Sequence, residues 1–351
     1  MKSYLPSFAF IIPCFNEEEY LEQAVEAIIN NGYPLENLDI LIVDGESTDS
    51  TLFIAEKLAK KYEIVRVFNN PRKILASAWN IGIENCSSDF VIAGNAHAKI
   101  EKNHFSKLAD LSLKHPADCY APMLITHPQD DTAFGKAVGG MMSHKFGVGN
   151  SEFRTSTGGE PSYVDTAHLG AYRREVFLSG VRYNEEMVRS QDVELHKRLR
   201  FSGKKLLLCP SVKVHYYTRS NPKGFFKFGF INGYWVTKPM QFGTTIASLR
   251  HLIPSIFVLS ITLPFLLSIF FKNLYFISIT SIFLYLLLLT YVSIEKSLKE
   301  KNLIYLVFTP LVFSSYHISY GIGSVTGFLV SMKSKRFWSL IFSAFSRFVD
   351  K

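Results

Sequence analysis

Residues 252–271, 274–294 and 303–332 contain no Asp, Glu, Lys or Arg, and nothing else in the chain limits its fold as strongly. Each stretch is long enough to cross a hydrocarbon core of about 30 Å, which takes about 20 helical residues. Buried helices of a soluble core are also apolar, but three charge-free stretches almost in tandem favour a membrane. Composition agrees, since 48% of the 351 residues are apolar. The net charge of +8 belongs to the same region. Residues 1–249 carry 28 basic and 27 acidic side chains, whereas residues 250–351 carry 10 and 3. Basic charge beside apolar spans suits an anionic membrane face, so membrane lipids, and no nucleic acid, are the expected partners.

The first 250 residues carry a different pattern. Phe8–Ile12 and Leu38–Val43 read as buried strands, and Ile64–Phe68 and Phe90–Ala93 as a third and a fourth strand. Between them Glu18–Asn30, Asp49–Lys61 and Ile74–Glu84 read as helices, the second begun by a Ser/Thr/Asp cap cluster. Strands alternating with helices predict an α/β fold with a mainly parallel central sheet. Such sheets bind ligands at the carboxyl ends of their strands, which points to loops 13–17, 44–49 and 94–98. Residues 127–163, rich in Gly, Ser and Met, read as mobile loop. Order is expected again in Val164–Phe177, a helix at Asp192–Phe201 and a strand at Leu206–Val214. Residues 222–242 interleave aromatics with Lys223, Lys227 and Lys238, the composition of an interfacial helix. The four cysteines are dispersed and form no CxxC pair, which suits a reducing compartment without a zinc site. The apolar run Phe8–Ile12 is too short for a signal peptide, so this part is expected in the cytoplasm.

Three motifs sit in the indicated loops: Pro13-Cys14-Phe15-Asn16-Glu17-Glu18, Val43-Asp44-Gly45-Glu46-Ser47-Thr48-Asp49, and Asn95-Ala96-His97. Asn and Asp at strand ends offer edge hydrogen bonds to a base and a ribose, and a buried Asp can accept the imide N–H of uracil. Asn-Glu and Ser-Thr-Asp are also ordinary helix caps, so each motif alone is ambiguous. Their order and spacing carry more weight.

Taken together, the run resembles family 2 glycosyltransferases with the GT-A fold, in particular the subgroup related to succinoglycan glucosyltransferases. The resemblance covers about residues 6–245. It implies that Pro13, Asn16, Glu17, Asp44 and Asn95 hold the nucleotide, and that Asn70–Arg72 through Asn80–Gly82 shape a wall of its pocket. At the metal position, where the family has Asp-x-Asp or Asp-x-His, this chain has Asn95 and His97. An amide is a poorer ligand than a carboxylate for Mg²⁺ or Mn²⁺, so a divalent cation, held by His97 and His215, is expected to bind weakly. His215 reads equally as an ordinary packed or surface histidine. The family's Glu-Asp motif appears as Gln191-Asp192. An inverting transferase needs one base for the acceptor hydroxyl, and Asp192 is the candidate, although it can also cap the following helix. His168, in the run Asp165–Arg174, falls on the acceptor side. The Gln-x-x-Arg-Trp motif of processive relatives is missing, which implies addition of a single sugar.

The resulting expectation is a membrane-associated inverting enzyme of cell-surface polysaccharide synthesis. It takes a nucleotide-sugar donor, UDP-linked, and a lipid-linked saccharide acceptor. A polyprenyl-phosphate sugar synthase is the alternative enzyme, and a non-catalytic nucleotide-sugar-binding subunit the alternative from another class. The expected organisation is a cytoplasmic catalytic domain at 1–221, interfacial amphipathic helices at 222–250, a multi-pass region of the cell (inner) membrane at 251–332 and a basic amphipathic tail at 333–351. Pro310, His317, Gly321, Gly323 and Gly327 within 303–332 suggest a bent, re-entrant segment that returns a basic tail to the cytoplasm, with a third full crossing as the alternative.

Overall fold

The computed structural model describes residues 5–149, 151–218 and 221–349. Two units divide the chain: Met1–Ile125 with Glu152–Tyr216, and Thr126–Ser151 with Tyr217–Lys351. Nine strands are present among the described residues: β1 (Phe8–Cys14), β2 (Leu38–Asp44), β3 (Val65–Asn69), β4 (Phe90–Ala93), β5 (Lys99–Ile100), β6 (Cys119–Pro128), β7 (Ser162–Tyr163), β8 (Ala171–Arg173) and β9 (Leu206–Thr218). The earlier α-helices are α1 (Leu21–Ile29), α2 (Thr51–Lys61), α3 (Leu75–Glu84), α4 (His104–Lys114), α5 (Ala133–Met142), α6 (Lys145–Val148), α7 (Glu152–Thr155), α8 (Glu175–Leu178) and α9 (Gln191–Phe201). The later ones are α10 (Pro222–Thr237), α11 (Leu249–Leu267), α12 (Tyr275–Lys299), α13 (Ile304–Ser331) and α14 (Lys335–Val349).

The apolar runs form strands as read; β1, β2 and β4 are buried, whereas edge strand β3 buries only Val65. The sheet order is β3-β2-β1-β4-β8-β6-β9-β5, with β7 against β9. Strands β1 to β4 are parallel, in registers that include Phe8↔Leu38, Phe8↔Phe90 and Ile40↔Val65. Helices α1, α2 and α3 supply the crossovers that parallel neighbours require. Beyond β4, β8 pairs antiparallel with β4 and β6, and β5 and β7 pair antiparallel with β9. Ile11, Ile12, Ile40, Leu41, Ile42 and Val43 are fully buried, and Leu21, Val25, Ala55, Leu58 and Ala76 cover them. Gly82 lets α3 lie against β1, because a Cβ there would strike the Ile11 side chain. All four cysteines are free and buried.

Two expectations need correction. Residues 127–163 are not a mobile loop, since they contain α5, α6 and α7. Ala137, Val138, Met141 and Met142 of α5 are buried with Phe225, Leu289, Val312 and Phe313 in the apolar cluster of the second unit. Small residues and flexible thioethers are what an irregular gap between helices selects. The break expected in 303–332 is also absent: α13 is one helix of 28 residues. Its glycines serve close packing instead. A Cβ on Gly233 would strike the Tyr320 carbonyl, and Cβ atoms on Gly323 and Gly327 would strike the carbonyls of Phe230 and Tyr234. Helix α10 therefore meets the C-terminal half of α13 backbone to backbone, as small-residue spacing of four permits between membrane helices. The Thr237 hydroxyl donates to the Ser324 carbonyl (2.6 Å), and the Ser331 hydroxyl donates to the Thr237 carbonyl (3.2 Å).

Two segments among the described residues, Leu249–Leu267 and Lys272–Lys299, are long and apolar enough to cross a membrane. The third expected span is not a further one. Ser, Tyr, His and Gly dilute its hydropathy, and Tyr316, His317, Ser319, Tyr320 and Ser324 are buried among its neighbours. By contrast, Ile256, Leu263, Phe265, Leu266, Phe276, Phe283, Leu287 and Tyr291 on the other two are exposed. Apolar surface on that scale marks an interaction face. The tail forms α14 as far as it is described; Asp350 and Lys351 lie outside the described residues.

Candidate active site

Every expected site residue falls in the first unit. The loops after β1 and β2 are laced together by side chains. Asn16, at φ 56°, donates its N–H to Ser47 Oγ (3.0 Å), and its Oδ1 accepts from Thr48 N–H (2.8 Å). Glu17 N–H donates to Thr51 Oγ1 (2.7 Å), and Glu18 N–H donates to Asp49 (3.3 Å) while its carboxylate accepts from Ser50 N–H (2.8 Å). Asp44 is buried at the end of β2, where it accepts from the Ser47 hydroxyl (2.6 Å) and N–H (3.1 Å). The helix-cap reading is thus partly right, but the partners cross between loops. Pro13 lies in β1 opposite Val43. The lacing engages the Asn16 amide oxygen with Thr48 and both Asp44 carboxylate oxygens with Ser47.

The loop after β4 brings its residues to the same strand ends. Trp79 Nε1–H donates to the Gly94 carbonyl (3.1 Å). Asn95 Oδ1 beside it is buried without a hydrogen-bond partner. An orphaned acceptor costs roughly 1–3 kcal/mol, so this oxygen fits a ligand hydroxyl or a cation. His97 Nδ1 faces Glu17 at 3.4 Å, and His215 Nε2 faces Glu101 at 3.5 Å. Each expected metal-ligand histidine thus has a carboxylate beside it. No group of three or more His, Cys, Asp or Glu among the described residues could hold an ion.

Asp192 lies in the first turn of α9, after Ser190 at φ 57°. Its Oδ1 accepts from Val193 N–H (2.8 Å), and its Oδ2 lies 3.9 Å from His168 Nδ1. Burial pushes the carboxyl pKa up, but the His168 side chain, the positive charge available on His196 and His168, and the Val193 N–H outweigh it, so the group lies below its ordinary value and stays ionised. The positive end of the α9 dipole acts in the same sense. At 3.9 Å His168 is a charge neighbour rather than a hydrogen-bond partner. Its ring stacks on Phe153 of α7 at 6.1 Å, and its Nε2 is buried without a partner. His196, one turn along from Asp192, escaped the sequence reading. It accepts at Nδ1 from Ala167 N–H (3.3 Å) and faces the Tyr172 hydroxyl at Nε2 (2.6 Å), and burial holds its pKa down to about 4. The signal was present, because residues four apart on a helix are neighbours.

Asn16, Glu46, Lys73, Leu169 and Ser190 are five of the seven described non-glycine residues at positive φ, and all lie in these loops or the segments flanking them. Such backbone concentrates where function over-determines the structure.

Among solved structures, the chain resembles a mannosyltransferase of Pyrobaculum calidifontis in complex with GDP-Man and Mn²⁺, with TM-score 0.57 and 14% identity, over 92% of this chain and 88% of that one. That likeness defines the class: a GT-A-like α/β glycosyltransferase fold followed by C-terminal helices. Residues 9–179 match the model of Glycosyl transferase family 2, so the chain carries a glycosyltransferase domain of that family. It is 28% identical over 322 residues to the dolichyl N-acetyl-alpha-D-glucosaminyl phosphate 3-beta-D-2,3-diacetamido-2,3-dideoxy-beta-D-glucuronosyltransferase of Methanococcus voltae, covering 89% of this chain and 95% of that protein. The succinoglycan biosynthesis protein ExoA of Rhizobium meliloti is 29% identical over 216 residues, 61% of this chain and 64% of its own length.

Proposed function

We propose that the chain is an inverting transferase that adds one sugar from a UDP-linked donor to a lipid-linked saccharide at the cytoplasmic face of the cell membrane. The observation that carries it is Asp192, a half-buried carboxylate kept ionised at the start of α9 with one oxygen bound by backbone. Similarity over 89% of the chain to an enzyme named for a dolichyl phosphate-linked sugar supports the acceptor class.

In this reading the base and ribose of the donor lie over Pro13, Asn16, Glu17 and Asp44, and Asn95 Oδ1 takes a donor hydroxyl or faces the diphosphate. Asp192 accepts the proton of the acceptor hydroxyl as its oxygen bonds to the anomeric carbon. The bond from that carbon to the diphosphate oxygen breaks on the opposite face, and the nucleoside diphosphate leaves with the electron pair. His168 sits at the acceptor side and keeps Asp192 deprotonated between turnovers. A divalent cation would neutralise charge on the diphosphate. Asn95 and His97 would be the side chains that hold it, as oxygen and imidazole donors.

The exposed apolar helices α11 and α12 form a membrane hairpin about 30 Å deep, which returns the loop with Lys296, Lys299 and Lys301 to the cytoplasmic side. Helix α10 lies at the interface. Because it grips the C-terminal half of α13, the basic tail beyond Ser331 stays at the cytoplasmic leaflet.

The test is Asp192→Asn in the purified full-length protein, assayed with UDP-glucose, UDP-N-acetylglucosamine and GDP-mannose against lipid-linked saccharide acceptors. Turnover should fall about 100-fold or more with donor binding retained, since general-base catalysis contributes about that much. Full activity in the variant would sink the base assignment. Full activity on a bare polyprenyl phosphate, which needs no strong base, would identify that acceptor instead. Activity with GDP-mannose alone would overturn the UDP assignment.

A further inference from the structure

Helix α3 reaches both halves of the proposed site through two adjacent residues. On one side Trp79 Nε1–H donates to the carbonyl of Gly94, the residue before Asn95 (3.1 Å). On the other side the Trp79 ring packs on Tyr183 with centroids 4.7 Å apart. Asn80 is buried and pairs with the backbone of Tyr183 in both directions. Its Oδ1 accepts from Tyr183 N–H (2.9 Å) and its Nδ2 donates to the Tyr183 carbonyl (2.9 Å). The second amide hydrogen goes to Glu185 Oε1 (2.8 Å), and the other carboxylate oxygen of Glu185 pairs with Arg72. The Asn80 amide is therefore fully used by one loop, Val181–Ser190, which ends at the positive-φ residue that starts the Asp192 helix. An asparagine with three hydrogen bonds to a loop about one hundred residues away is a costly way to fill a core, because losing any one strands a buried polar group.

We propose that Trp79 and Asn80 are positioning residues that set the separation between the donor loop after β4 and the base Asp192. The inference rests on Asp192 being that base. The geometry favours it over simple core packing because the hydrogen bonds of the pair go to the two segments that carry Asn95 and Asp192. Gly82 and Gly94 hold the frame against β1, where added Cβ atoms would strike Ile11 and Phe10. A misplacement of about 1 Å between reacting groups can lower turnover by about 100-fold without a change in binding.

The experiment uses spin labels on cysteines introduced at the exposed positions Lys99, beyond the donor loop, and Arg200, on α9. The native thiols are all buried and give little background. Distance distributions are measured in the full-length protein in lipid for the parent, Asn80→Ala, Trp79→Phe and Glu185→Gln. Trp79→Phe keeps the ring contact but drops the N–H, and Glu185→Gln keeps an acceptor for Asn80 but removes the Arg72 pair. The proposal expects a broadened distribution in Asn80→Ala and a lesser one in Trp79→Phe. It also expects a fall in kcat of about 10- to 100-fold with the donor KM within about twofold. Glu185→Gln should stay close to the parent. An unchanged distribution in Asn80→Ala, or a loss of donor affinity that accounts for the lost rate, overturns it. If Asn80→Ala does not fold, Trp79→Phe decides on the same two readouts. An active Asp192→Asn would remove the base while the distance measurement still judged the clamp.

Discussion

The backbone contact between α10 and α13 makes a prediction whose size follows from geometry. In Gly233→Ala the new methyl would overlap the Tyr320 carbonyl, which belongs to a helix and cannot turn aside as a long side chain would. Overpacking costs about 1–3 kcal/mol, and a rigid backbone neighbour puts this site at the upper end. Replacing glycine by alanine inside a helix returns about 1 kcal/mol of propensity. The net loss is therefore about 2 kcal/mol. Gly224 is the control on the same helix, since a Cβ there meets only Asn221 carbons, the nearer at 3.8 Å. Gly224→Ala should be neutral or stabilising by up to about 1 kcal/mol. A loss of 2 kcal/mol lowers the midpoint by about 4–8 °C for a unit of this size. Thermal unfolding of the full-length protein in lipid, followed by tryptophan fluorescence, reads it out, because Trp235 and Trp338 both lie in the second unit. An unchanged midpoint in Gly233→Ala, or an equal drop in Gly224→Ala, would refute close packing as the reason for the glycines.

Three further outcomes are expected. Asn95→Asp should tighten the dependence on Mg²⁺ or Mn²⁺ relative to the parent, read by titrating activity with each ion; identical tight dependence in both proteins would mean that other ligands hold the ion. His168→Phe keeps the stack on Phe153 but removes the group that holds the Asp192 pKa down. A depressed carboxyl works above its pKa and fails as pH falls through it, so the acid limb of kcat/KM should move to higher pH; an unmoved limb argues against the pairing. His196, one turn along from Asp192, is neutral near pH 7 and gains its charge only as pH falls toward about 4. A cysteine at Asp350 should resist a membrane-impermeant thiol reagent in intact cells, with the buried native thiols as quiet background, whereas ready labelling would place the tail outside.

The strands and crossovers of the first hundred residues were legible because burial on both faces demands unbroken apolar runs, and Phe90–Ala93 matches to the residue. Loop positions followed from the strand ends. The glycines were misread. Five helix-weakening or polar residues in 303–332 suggested a bend, yet Gly323 and Gly327 repeat at a spacing of four, as Gly229 and Gly233 do in α10. Read as paired faces, they predict two helices in backbone contact rather than one broken helix. Residues 127–163 failed for a related reason: Gly and Met suit loops and irregular gaps alike, and which applies depends on the second unit. Within the site, the motif residues were visible but their partners were not. Asn80 and Tyr183, like Asp192 and His168, are brought together by topology, and a single sequence carries no record of that.

The charges of the site bear on why two acids of the family pattern are amides here. Glu17 is paired with His97 at 3.4 Å, Glu46 with Lys73 at 2.7 Å, Glu101 with His215 at 3.5 Å, and Glu185 with Arg72. Asp44 is held by Ser47, and Asp192 by Val193 N–H and His168. Each of these carboxylates thus has a basic side chain or a hydrogen-bond donor beside it. In the proposed donor pose a carboxylate at position 95 would stand next to the diphosphate, and at an effective dielectric near 20 two like charges about 4 Å apart repel by about 4 kcal/mol unless an ion lies between them. Asparagine avoids that repulsion and keeps an acceptor oxygen in place. Gln191, buried beside Asp192, likewise leaves one carboxylate in its pair, so the base need not share a proton with a neighbour. On the proposed reading, Asn95 thus lowers the negative charge that the diphosphate meets, and Gln191 leaves Asp192 as the single base of its pair.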